Sequence, residues 1–182
     1  PRHHTTALAG INAIRDTLLN TFNAAGLEVT SQNVTYAGGT VPNVIGRQVG
    51  LENGTRTFIV DAHYDAVSNT QGADDNASGV TATLEVARIL SQYQFKNSLR
   101  YVGFSFEEQG LIGSGQYVQS GIPAWETVAG VLNMEMIGYY SDVPNSQSLP
   151  AGFELLFPAA VADIAADEYR GNFLTVVGNT AS

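Results

Sequence analysis

Four short runs decide how this chain is read: Asp61-Ala62-His63-Tyr64-Asp65, Gly72-Ala73-Asp74-Asp75-Asn76-Ala77-Ser78-Gly79, Phe106-Glu107-Glu108-Gln109-Gly110 and Asn133-Met134-Glu135-Met136-Ile137. The segments leading into three of them are apolar and β-branched. Arg56 to Ala62, Leu99 to Phe106 and Val128 to Met134 each read as a strand. His63, Glu107, Glu108 and Glu135 then fall at or just beyond the carboxyl ends of those strands. In an open α/β sheet, ligands bind in the crevice along that edge. Imidazole and carboxylate groups converging there suit a divalent metal.

Working outward, Leu8, Ile11, Ile14, Leu18 and Phe22 recur at helical spacing, which predicts a helix over Thr5 to Ala25. Leu27 to Tyr36 alternates as a strand does, and Gly38-Gly39 breaks it. Val44 to Leu51 and Arg56 to Ala62 flank Asn53-Gly54, which predicts a hairpin. Ser78 to Gln92 and Leu111 to Gln119 read as helices. Strands alternating with helices imply crossovers, and an early hairpin adds antiparallel pairing. The expected fold class is α/β, three-layer α/β/α, with a mixed and mainly parallel central sheet. Ser141 to Pro150 is polar and turn-rich. Phe153 to Ala166 reads as one further helix and Phe173 to Val177 as the start of a strand. The whole, residues 1–182, reads as a single domain.

Composition narrows the function. The 182 residues are 44% apolar and 14% charged, with a formal net charge of −9. A chain this long and apolar buries a core. The acidic balance disfavours nucleic acid and anionic membranes as partners. No apolar run is long enough to span a bilayer. There is no cysteine, so disulfides, thiolate metal sites and cysteine nucleophiles are excluded together.

Each acidic run also has a plainer explanation. His63-x-Asp65 fits a metal ligand whose second ring nitrogen is held by a carboxylate, and equally a strand-end histidine beside a surface acid. Asp74-Asp75 fits a carboxylate shared by two cations or an acidic turn into a helix capped by Asn76 or Ser78. Glu107-Glu108 fits a ligand beside a general base, or acids placed at a helix start. Glu135, set among Val131, Leu132, Met134, Met136 and Ile137, is costly in apolar surroundings without a partner.

Taken in order, the four runs resemble the M28 family of zinc metallopeptidases, the bacterial aminopeptidase-like group, over nearly the whole chain. The resemblance implies a zinc exopeptidase acting on peptides, with His63, Asp74, Glu108 and Glu135 as metal ligands. By the same resemblance Asp65 would orient His63, Asp74 would bridge two zincs, and Glu107 would be the general base. It also implies a cis peptide bond at Asp74–Asp75. Members usually carry Asp where this chain has Glu135. The family's last ligand is a later histidine, whereas this sequence has none after His63. The expectation is therefore a catalytic domain without its C-terminal portion, holding one zinc or none where the intact enzyme holds two. A secreted or periplasmic location is expected. Two alternatives share the fold: a glutaminyl-cyclase-like acyltransferase and a non-catalytic receptor-type domain.

Overall fold

The computed structural model describes residues 1–179. They pack as two compact units, Pro1 to Ile137 and from Gly138 onward, where the sequence reads as a single domain.

The first unit begins with α1, Leu8–Ala24, followed by β1, Glu28–Tyr36, and β2, Gly39–Gln48. Next come β3, Asn53–His63, α2, Ala77–Leu90, and β4, Asn97–Phe104. A short α3, Ile112–Gln116, runs into a π-helical turn, Tyr117–Gly121, before β5, Thr127–Asn133. The strand order is β1-β2-β4-β3-β5. β1 pairs with β2 and β2 with β4 antiparallel, whereas β3 pairs parallel to both β4 and β5. Only β2 therefore opposes the common direction, and the sheet is mixed and mainly parallel.

The expected Asn53-Gly54 hairpin does not form. The hairpin is one element earlier, where Tyr36 pairs with Gly39 across Ala37 and Gly38. Both loop residues have positive φ, 48° and 79°, as a two-residue turn that matches strand twist requires. Residues 51–53 instead bond to the chain entering β4: Leu51 N–H reaches Phe95 O, and Glu52 and Asn53 N–H both reach Lys96 O. This leads β4 in between β2 and β3.

The sheet buries both faces in places. On one face Val44, Val60, Ala62 and Tyr101 pack with Ile11, Leu18 and Phe22 of α1 and Val80 and Ala87 of α2. Burying each large side chain of this set contributes about 1.5–3 kcal/mol. On the other face Ile45, Ile59, Val102 and Phe104 pack with Tyr117 of the π-helical turn. Here Arg100 is pinned by Glu126 through two hydrogen bonds and by the Tyr117 hydroxyl at 3.1 Å. Beside it lies an apolar cavity of about 420 Å³ lined by Ile59, Phe104, Tyr117, Ile122 and Val131, with Asp61 and Asn133 at its edge. Trp125 takes the Arg47 guanidinium at 5.4 Å from its ring centroid.

In the second unit the single helix expected over Phe153 to Ala166 is two, α4, Phe153–Leu156, and α5, Pro158–Ala166. Pro158 starts α5 and bars its preceding residue, Phe157, from helical geometry. Phe157 has φ −135° and ψ 57°. The strand expected at Phe173 to Val177 is absent; an isolated bridge joins Ser141 to Gly171. Among the described residues no helix is long and apolar enough to cross a membrane.

Candidate metal centre

β3, β4 and β5 run parallel, so their carboxyl ends share one edge of the sheet. His63 is the last residue of β3, and Tyr64 N–H bonds Phe104 O at the end of β4. Glu107 and Glu108 follow β4. Glu135 follows β5, whose exit is tied to β3 by Met134 N–H to Asp61 O, 2.8 Å.

Around His63 the donors gather closely. Its Nε2 lies 3.1 Å from Asp75 Oδ1, 3.5 Å from Glu135 Oε1 and 3.9 Å from Glu107 Oε2. Two sets of three donors lie within 4.8 Å of one another, His63 with Asp75 and Glu135, and His63 with Glu107 and Glu108. The imidazole is buried, whereas the Asp75 and Glu135 side chains are 42% and 46% exposed.

This corrects the sequence reading at one position. Asp75, not Asp74, joins His63. Asp74 turns to the helix start instead, where its Oδ1 accepts the Ser78 hydroxyl at 2.9 Å. The cis bond also lies one residue on, at Asp75–Asn76. The reason is local: Asn76 is the cap of α2, accepting Gly79 N–H at 3.0 Å, so the residue just before it is the one directed into the crevice. Glu135 differs too. It is not enclosed by the apolar side chains around it in sequence, because the chain leaves the sheet after Asn133.

Two supports were not legible in the sequence. Asn76 is fully buried. Its amide donates to Met134 O and to Glu135 Oε2, both at 2.9 Å, and its carbonyl oxygen accepts Met136 N–H at 3.2 Å. Gly79 allows this approach, because a Cβ there would collide with Asn76 Oδ1 and Met134 O. Asp65 meets His63 Nδ1 only at 3.5 Å. Its stronger bonds go elsewhere: Oδ1 accepts Glu107 N–H at 3.1 Å and Oδ2 accepts Glu108 N–H at 3.2 Å. Asp65 thus ties the β3 exit to the β4 exit. Glu108 is held in turn by Val67 N–H, 3.1 Å from its Oε1.

The electrostatics report a surplus of negative charge. Burial disfavours the His63 imidazolium, yet Asp65, Glu135 and Glu107 outweigh it and push His63 up to about 9. Glu108 and Glu135 are raised above the ordinary carboxylate range, first by burial and then by neighbouring acids, Asp75 among them. Asp61, beneath His63 on β3, is raised to about 7 by burial, against a hydrogen bond from Asn133. One base among so many acids binds a proton tightly, and a divalent cation in its place satisfies the same charges.

The spacing fits zinc. Donors about 2.0 Å from a tetrahedral ion stand about 3.3 Å apart along each edge. The observed 3.1 and 3.5 Å from His63 Nε2 to Asp75 and Glu135 bracket that value. Nitrogen and carboxylate oxygen are also the donors that zinc accepts where thiolates are lacking.

Comparison with known proteins agrees. The chain is 34% identical over 180 residues to the uncharacterized protein YfbL of Escherichia coli strain K12, covering 92% of this chain and 52% of that one. It is 31% identical over 150 residues to a probable zinc metalloprotease of Pyrenophora tritici-repentis, covering 71% of this chain and 31% of that one. The chain thus spans about half of the length of one of these relatives and about a third of the other. Among solved structures, the aminopeptidase from Aneurinibacillus sp. strain AM-1 matches with a TM-score of 0.53 and 34% identity, over 58% of this chain and 26% of that one. The model of peptidase family M28 matches residues 43–170, which takes in every residue of the His63 cluster, and the chain belongs to that family.

Proposed function

We propose that this chain carries the catalytic centre of a zinc-dependent exopeptidase, an aminopeptidase that removes N-terminal residues from peptides. The observation that carries the reading is the spacing of His63 Nε2, Asp75 and Glu135, with Glu107 beside them. His63, Asp75 and Glu135 would hold one zinc. Glu108, whose carboxylate lies within 4.8 Å of the His63 and Glu107 donor atoms, would offer a further donor on the other side of His63. Zinc bound there would supply Lewis acidity to the scissile carbonyl and to the attacking water.

The chain's own residues do the rest. Glu107 takes the proton of the attacking water and returns it to the departing amine. Its backbone is fixed by Asp65, which holds the carboxylate near the reacting atoms. Asn76 restrains Glu135 so that the oxygen facing His63 is Oε1, the other being engaged.

The test is hydrolysis of peptides with a free amino terminus against the same peptides N-acetylated, with and without chelator. Chelator-sensitive release of single N-terminal amino acids from the free peptides alone supports the reading. Internal cleavage, or cyclisation of N-terminal glutamine without amino acid release, overturns it.

A further inference from the structure

Arg2 is a buried cation that stands outside the donor set. Its guanidinium grips the loop joining His63 to Asp75: Nε donates to Tyr64 O at 2.9 Å, Nη1 to Gln71 O at 3.3 Å and Nη2 to Gly72 O at 2.7 Å. Its own carbonyl accepts Ala66 N–H at 2.9 Å. One residue therefore bonds the loop just after His63 and again just before Asp74-Asp75. The fit is close. Gly72 has φ +66°, and a Cβ there would stand 2.6 Å from Arg2 Nη2. Gly72 O also accepts Ala77 N–H at the start of α2, so the grip extends to the helix that Asn76 caps. The carboxylates acting on the guanidinium are Asp65, Asp75 and Glu108.

We propose that Arg2 is a positioning residue for the zinc site, closing the loop between His63 and Asp75 so that both donors stand in place before the metal arrives. The inference rests on the zinc reading above. A planar fork reaching three carbonyls at fixed angles does this, and an ammonium, a single point charge, does not. Without the fork, zinc binding itself must order the loop, and affinity falls by that cost. Partners that orient metal ligands are typically worth 10–100-fold in affinity.

The experiment measures zinc affinity of the metal-free chain by competition with a chromogenic chelator, for the wild type, Arg2→Lys, Arg2→Met and His63→Ala. Cobalt(II) absorption spectra and metal-free melting curves accompany it. The expected result is 10–100-fold weaker zinc in both Arg2 variants, with an altered cobalt spectrum. Arg2→Lys retains a buried cation, so it reports even where Arg2→Met does not fold. Wild-type affinity in Arg2→Lys overturns the proposal, since charge alone then suffices. So does a lowered melting temperature with affinity and cobalt spectrum unchanged. Unchanged zinc affinity in His63→Ala overturns the zinc reading itself, which separates the two failures.

Discussion

The side-chain amide of Asn76 donates a 2.9 Å hydrogen bond to Glu135 Oε2, joining the cap of α2 to the exit of β5. The same side chain caps α2 and accepts from Met136. The position of Glu135 thus depends on a neutral, fully buried residue. Asn76→Ala strands Gly79 N–H, Met136 N–H and Met134 O and is expected to lower stability by roughly 3 kcal/mol. Zinc affinity falls as well, because Glu135 is released. Urea denaturation and zinc titration check both.

Glu107 and Glu108 are adjacent, but their expected roles differ. Glu107→Gln keeps size and removes the proton acceptor, so zinc content holds while peptide turnover falls by at least about 100-fold. Glu108→Gln loses metal instead. Metal analysis beside kcat distinguishes them, and the reverse pattern would exchange the two assignments.

Much of this was legible. Strand ends carrying His63, Glu107, Glu108 and Glu135 to one edge follow from apolar runs that stop at polar residues, and the structure keeps that arrangement. The choice between Asp74 and Asp75 was not legible. Two adjacent acids look alike in a sequence, and the turn into α2 decides which one points inward. The β1–β2 hairpin was missed because Ala37 adopts positive φ without any residue signal for it. The break in the C-terminal helix was readable, since Pro158 announces it. Arg2 carried no signal, because its partners are backbone carbonyls some sixty to seventy residues away.

Asn43 of β2 is fully buried and joins β1, the exit of β4 and the start of α3. Its amide donates to Gln32 Oε1 and Gly113 O, and its oxygen accepts Ser105 N–H. Asn43→Ala leaves the Ser105 N–H unpaired, while Gly113 O keeps its helical bond, and should cost about 1–3 kcal/mol. It loosens the turn that presents Glu107 and Glu108. Thermal denaturation of metal-free protein reads the loss.

Arg100 and Glu126 form a nearly solvent-free pair, with side chains 8% and 0% exposed. Removing one partner strands the other charge, so Arg100→Met is expected to destabilise by about 3–5 kcal/mol. Replacing both, Arg100→Met with Glu126→Leu, is expected to recover most of that loss. A double-mutant cycle in urea measures the coupling, which should leave zinc affinity unchanged.

The central claim is that one metal site is built on His63, Asp75 and Glu135. Calorimetric titration of zinc into the metal-free chain, with Asp75→Asn and Asp74→Asn beside the wild type, tests it most directly. The account predicts tight zinc in the wild type, a loss of at least about 100-fold in Asp75→Asn, and wild-type affinity within a few-fold in Asp74→Asn. Loss of zinc in Asp74→Asn with retention in Asp75→Asn, or no zinc binding by the wild type, would contradict it.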